Sequence, residues 1–296
     1  MKSWMFSAAY FLLSIFMPPV LAAQRDGGAE ADKVVLKWLG NAGWEIRLGK
    51  TIILIDPFLT RKEREMDGVW KADEQAVLKV VASADYIFAG HSHHDHIGDI
   101  PFIAKRFGAK VIGSRTTTNL MLSAGVKSSQ LVTIGGGENL LAKDFSVRAI
   151  ESRHGWLLRN GRRVQPRSEE ILEPKSGPLL GRDFVEGKNF LYYFTFGEHK
   201  LLHQSTGNFI DGNLAGLRPD VILMAPVQGY DLTNVLSILK PKTILHHHFD
   251  EWQVPFADGI KESNIRRAER FVREVRAVNE NIKVIVPGFL LTYTLE

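Results

Sequence analysis

The sequence predicts an α/β (α+β) chain: two mixed β-sheets packed face to face, with helices on the outer faces. Three observations carry this reading. The segments VVLKWLG (34–40), WEIRLG (44–49) and TIILIDPFL (51–59) are strand-like and close together, as in a sheet whose sequential strands pair antiparallel. The next part alternates short apolar strands with helical patterns, the mark of βαβ units. A second run of strands and helices then repeats the scheme. No composition shift or linker divides residues 34–296, so one domain is expected there.

The elements follow in order. Residues 1–23 read as a signal peptide: Lys2, an uncharged apolar run from Trp4 to Met17, the breakers Pro18 and Pro19, and small residues suited to cleavage after Ala22 or Ala23. The run is shorter than the roughly 20 residues of a membrane span, so no stable span is expected after cleavage, and the mature chain is expected in the periplasm or secreted. Residues 24–33 form a short leader. The third strand stops at Asp56-Pro57. ADEQAVLKVVASA (72–84) has helical spacing, YIFAG (86–90) is a buried-type strand, and IPFIAKRFG (100–108) is a helix ending at Gly108. AKVIGS and TTTNLMLSAG continue the alternation. SQLVTI, NLLA and FSVRAIES are strands, the last running to His154. The Gly135-Gly136-Gly137 run lacks the helix and Lys-Ser/Thr of a phosphate loop and reads as a hairpin turn. Residues 155–189 are irregular, and a loop of that length reads as a lid or binding loop. FLYYFTFG and HKLLHQS pair, DVILMAP and TILHHHF are apolar strands, SNIRRAERFVREVRAVNE is an amphipathic helix, and KVIVPGFLLTYTLE closes the chain as strands.

Composition narrows the function. With 37 Lys and Arg against 33 Asp and Glu, the chain carries +4; loss of Lys2 with the leader leaves +3. There is no long basic run or basic-aromatic ladder, so nucleic acid is not expected as a partner. With no cysteine, disulfides and thiolate chemistry are excluded, and any metal site must use His, Asp and Glu.

Four of the ten histidines fall in His91-Ser92-His93-His94-Asp95-His96. The cluster follows a buried strand and precedes a helix. An extended backbone would put His91, His93 and Asp95 on one side, with His96 turning in at the helix start. Imidazole and carboxylate donors suit zinc, and also iron or manganese. Without a metal, such crowding costs repulsion or desolvation at each ring. His154 and one of His246-His247-His248 follow strand-like runs and are the expected partners from a distance.

His91-Ser92-His93-His94-Asp95-His96 resembles the HxHxDH signature of the metallo-β-lactamase fold superfamily. Leu39-Gly40-Asn41-Ala42-Gly43, Ile55-Asp56-Pro57-Phe58 and Gly98-Asp99 resemble its Zn-dependent hydrolase branch, which includes the ascorbate-phosphate lactonases and, more distantly, the N-acyl-phosphatidylethanolamine phospholipases D. His248-Phe249-Asp250-Glu251-Trp252 looks like that branch's last histidine motif and selects His248. The resemblance implies an αββα sandwich, one metal on His91, His93 and His154, and a second on Asp95, His96 and His248. The usual bridging aspartate is missing. Ser205 or Thr206 stands in its place, and His203 is a further candidate ligand.

The expected activity is that of a metal-dependent hydrolase, with one or two Zn²⁺ (iron or manganese not excluded) and Asp95 as catalytic proton carrier. Its substrate would be a small-molecule ester, lactone, amide or phosphodiester. The loop 153–167 carries Arg153, Arg159, Arg162, Arg163 and Arg167 and no Asp or Glu; it reads either as a solvated basic loop or, from its place beside His154, as a grip for an anionic substrate, with Trp156 as a pocket wall or loop anchor. Iron-dependent oxidation and a non-catalytic metal-binding protein are the alternatives on the same residues.

Overall fold

The computed structural model describes residues 33–159, 162–164, 169–226 and 229–295. The signal peptide expected at 1–23 and Arg167 lie outside them, as do the side chains of Arg159 and Arg163.

The first sheet begins as an antiparallel meander of β1 (Val34–Trp38), β2 (Trp44–Leu48) and β3 (Thr51–Ile55). β1 alternates buried and half-buried positions, so Val34, Leu36 and Trp38 face the core. α1 (Glu74–Val80) is capped by Asp73, whose side chain accepts from the Ala76 amide. Three strands then add in parallel, β4 (Tyr86–Phe88), β5 (Lys110–Gly113) and β6 (Leu131–Thr133). Between them lie α2 (His94–Ile97), α3 (Ile100–Phe107) and α4 (Arg115–Ser123). α3 stops at Gly108, which takes the left-handed conformation at φ 72°.

The second sheet repeats this plan. β7 (Asn139–Leu141) pairs antiparallel with β8 (Ser146–His154). β9 (Leu157–Arg159) and β10 (Arg162–Val164) form a small hairpin of their own. β11 (Asn189–Phe196) pairs with β8 on one side and β12 (His199–Gln204) on the other, all antiparallel, and the short β13 (Gly207–Asn208) lies against the end of β8. β14 (Val221–Met224), β15 (Thr243–His246) and β16 (Lys283–Ile285) then run parallel to β12, with α5 (Leu232–Leu239) and α6 (Glu262–Val278) outside. β17 (Thr292–Thr294) returns to pair with β1 and closes the first sheet, placing Tyr293 beside Leu36.

Three apolar clusters make the layers. Trp38, Ile53, Ile55 and Phe88 of one sheet meet Tyr192, Phe194, Leu223 and Leu245 of the other. Leu54, Ile87 and Val111 meet Val77, Ile100 and Leu120 on the first outer face. Leu202, Ile222 and Ile244 meet Val235, Phe271 and Val275 on the second. β14 is buried on both sides and reads as an unbroken apolar run for that reason. This is the expected αββα sandwich of two mixed sheets.

Two details differ from the sequence reading. Asp95 does not lie on an extended face: the helix starts at His94, with His93 at its N-cap, so Asp95 reaches its place from the first helical turn. The stretch 155–189 is not wholly irregular, because β9 and β10 pair within it and a short 3₁₀ turn spans Gly181–Asp183. Among the described residues, no helix is long and apolar enough to cross a membrane.

Candidate metal centre

In both sheets the parallel strands deliver their carboxyl ends to one edge, where loops leave a sheet without having to pair. β3 ends at Ile55 and hands over Asp56. β4 leads into His91 and His93, β8 ends on His154, β12 leads to Ser205 and Thr206, and β15 leads to His247 and His248.

Two donor groups form there. His91, His93 and His154 each offer a ring nitrogen, and Asp95, His96 and His248 offer two ring nitrogens and a carboxylate oxygen; within each trio the donor atoms lie within 4.8 Å of one another. His91 Nε2 and His93 Nδ1 are 3.1 Å apart. Two ligands of one tetrahedral zinc at its usual bond lengths stand about 3.3 Å apart. The donor set therefore fits a metal ion. Asp95 Oδ2 stands 3.4 Å from His96 Nε2 and 3.9 Å from His248 Nε2.

The electrostatics match. Burial outweighs every favourable contact at His91, His93, His154 and His248, so their pKa values fall, to about 3 for His93 and about 4 for His248. They are neutral, with lone pairs available, at ordinary pH. His96 is different: burial lowers its pKa, but Asp95 and Asp56 outweigh burial and raise it. Burial would raise Asp95 and Asp56, yet the histidines hold both below the usual carboxylate range.

Residues behind the donors orient them. Asp56, fully buried at φ 44°, accepts from the Gly90 amide at 2.6 Å and from Ser205 Oγ at 2.5 Å, and pairs with His96 Nδ1 at 3.0 Å. That contact leaves His96 Nε2 facing the site. His154 Nδ1 donates to the Gly155 carbonyl at 2.9 Å, with the same result. Asn41 Nδ2 donates to the Asp95 carbonyl at 2.6 Å and to Asp95 Oδ2 at 3.2 Å, while the Asn41 carbonyl accepts from the His248 amide at 2.9 Å. Asn41 thus holds two donors of one trio. Its own amide donates to Asp250, which is paired with Arg61 at 2.8 Å in a fully buried ion pair. Gly40, at φ 80°, must lack a side chain because a Cβ there would strike Arg61 Nη1. Sequence reasoning gave Asn41, Asp56 and Asp250 no place in the site. Their signals were the Leu39–Gly43, Asp56-Pro57 and His248–Trp252 elements.

The structure sorts the remaining candidates. Of the triplet, only His248 belongs to a donor trio. His247 accepts from Trp44 Nε1 at 2.7 Å and donates Nε2–H to the Gln204 carbonyl at 2.8 Å. His246 bonds the Met224 carbonyl at 3.0 Å and stacks on Phe249 and Phe271. His203 donates to the Ala42 carbonyl at 2.9 Å and packs edge-on against His247, away from the donors. His94 is boxed by Phe58, Trp70 and Trp252. Ser205 and Thr206 take different places. Ser205 Oγ sits behind the rings, 3.2 Å from His96 Nδ1 and 3.4 Å from His91 Nδ1. Thr206 Oγ1 lies 3.5 Å from His91 Nε2, on the donor side. Of the two hydroxyls, the one that faces a donor nitrogen is that of Thr206, and it is neutral.

Arg153 and Trp156 lie on either side of His154 in the chain but line a separate cavity of about 400 Å³ with Asn208, Tyr230, Asp211 and Asp231. Its two carboxylates offset the single guanidinium, so it is no basic pocket. Arg162 is exposed on β10.

Residues 35–252 match the model of the beta-lactamase superfamily domain. A UPF0173 metal-dependent hydrolase of Carboxydothermus hydrogenoformans is 31% identical over 260 residues, covering 86% of this chain and 97% of that protein. Igni18, a metallo hydrolase from the archaeon Ignicoccus hospitalis, has a similar fold: TM-score 0.60 at 18% identity, over 89% of this chain and 99% of that one. So does CmlA, a diiron β-hydroxylase from Streptomyces venezuelae, with a TM-score of 0.55 at 15% identity over 89% of this chain and 54% of that one. With a family model matched over most of its length and a relative aligned nearly end to end, the chain belongs to the UPF0173 metal-dependent hydrolase family of the beta-lactamase superfamily.

Proposed function

We propose that this protein is a hydrolase of a small-molecule ester, lactone, amide or phosphodiester, working with one or two zinc ions held by His91, His93 and His154 and by Asp95, His96 and His248. The observation that carries the reading is the pair of donor trios at one sheet edge. A metal there would lower the pKa of water and polarise the scissile carbonyl or phosphoryl group. The chain's own groups do the rest. Asn41 fixes Asp95, whose carboxylate is placed to carry a proton from the attacking water to the leaving group. Asp56 and Gly155 fix the tautomers of His96 and His154. Iron-dependent oxidation is the second reading. The same nitrogen and oxygen donors accept iron, and CmlA shows the fold in a diiron protein.

The test is metal content by mass spectrometry on protein purified without added metal, beside His154→Ala and His248→Ala, followed by an ester, lactone and phosphodiester panel. Zinc in the wild type, a lower content in each variant, and turnover lost with the metal are expected. Iron would favour the oxidation reading. A metal-free wild type, or a fully loaded one silent across the panel, would sink the hydrolase.

A further inference from the structure

Arg64 is half-buried in the segment after β3 and forms no ion pair among the described residues. Among the described residues its side chain makes one hydrogen bond, from Nη1 to the Phe184 carbonyl at 3.1 Å. The segment around it is held in place. Trp70 and Gly181 donate backbone bonds to Leu179 and Gly68, and Arg182 to Met66. Trp70 also packs on Phe184 and His94 and donates Nε1–H to the Gly98 carbonyl. Phe184, whose carbonyl Arg64 bonds, packs on Trp70, and Trp70 packs on His94, the residue between the donors His93 and Asp95; the guanidinium therefore stands on that side of the site, and its charge is felt at Asp95, His93 and His94.

The charge balance there is unusual. A half-buried guanidinium costs free energy unless it is paired, and the buried Arg61 has Asp250. The donors and Asp56 behind His96 supply two carboxylates, so a divalent ion in each trio leaves the site positive. A further cation beside it adds repulsion, and among the described residues it has no ion-pair partner within contact distance. An anionic ligand removes both penalties, and a guanidinium with most of its N–H donors free is the group best shaped to grip an oxyanion. Lys62 does not share this position, since its ammonium lies over the Trp70 ring and bonds the Lys71 carbonyl.

We propose that Arg64 binds a carboxylate or phosphate group of the substrate beside the metal centre and so determines specificity for an anionic substrate. This rests on the hydrolase reading above, but its test does not need turnover. Wild type, Arg64→Met and Arg64→Lys would be loaded with zinc to equal measured content. Inorganic phosphate, acetate and acetamide would then be titrated in and followed by NMR. Phosphate or acetate affinity should fall at least about tenfold in Arg64→Met and less in Arg64→Lys, and acetamide should not distinguish the three. Which of the two anions shows the larger fall tells phosphate from carboxylate. Unchanged anion affinity in Arg64→Met overturns the proposal. So does a failure of either variant to reach the wild-type zinc content on loading, because Arg64 would then merely brace Phe184. Arg64-dependent anion binding in a protein silent on every ester would keep the anion site and discard the hydrolase.

Discussion

Thr206 is the residue at which this chain departs most from the pattern its histidines set. Its hydroxyl reaches toward His91 Nε2 at 3.5 Å, and a threonine hydroxyl has no charge with which to offset two cations. One trio is all imidazole and the other contains Asp95, so the two positions differ in charge and should differ in affinity. Thr206→Asp restores a carboxylate at the junction. It should tighten the weaker ion by about 10- to 100-fold, the scale on which single groups around a metal act. Calorimetric zinc titration of the two proteins checks this; equal stoichiometry and affinity would show that position 206 does not touch the second ion. Ser205 has a different task, since its hydroxyl is spent on Asp56.

The elements that matter most for the site are loops tied across the sandwich. The turn between β1 and β2 carries Asn41, the segment after β3 carries Asp56 and Arg61, and the one after β15 carries His248 and Asp250. The Arg61–Asp250 pair joins the last two, and Arg61 also bonds the Glu251 and Val254 carbonyls and lies over the Phe256 and Phe289 rings. Removing one member leaves the other buried and unpaired. Arg61→Met should therefore cost about 3–5 kcal/mol by urea unfolding. It should also weaken metal binding, because Asp250 holds the Asn41 amide. A loss under about 1 kcal/mol would show that the pair does not tie these loops.

For the whole molecule, buried histidines set the acid limit. Burial lowers the pKa of His91, His93, His94, His154, His203, His246, His247 and His248. Below about pH 6.5 the unfolded chain takes up protons that these folded rings refuse, so folding stability falls with pH. His96, with a raised pKa, contributes stability in the acid range and loses it as pH rises. Asp99 and Glu186, pushed by burial to about 6 and about 7, also favour the protonated fold as pH falls. Eight lowered groups outnumber these three. Metal-free protein should melt several degrees lower at pH 5.5 than at pH 7 in differential scanning calorimetry. A melting point that held or rose would mean that the rings take up protons without unfolding.

Much of this was legible in the sequence because the signals are local. Periodicity and β-branched runs separated strands from helices. The spacing of His91, His93, Asp95 and His96 marked a metal site, since no other arrangement crowds those groups without cost. Strand ends at His154 and His246 supplied the distant candidates. For the triplet the resemblance selected His248, and the fold shows how it gets there: one step along the chain beyond β15 sends His247 onto Trp44 and the next sends His248 to the donors. Two things only the tertiary structure decided, each a matter of which atoms face which. Ser205 and Thr206 are adjacent, yet one backs the rings and the other faces the site. The half-buried arginine on the donor side is Arg64, held by a strand-like contact between segments more than a hundred residues apart, whereas Arg153 of the arginine-rich loop lines a separate cavity. Local sequence carries residue type and spacing, whereas direction depends on backbone turns and on partners supplied from elsewhere in the chain.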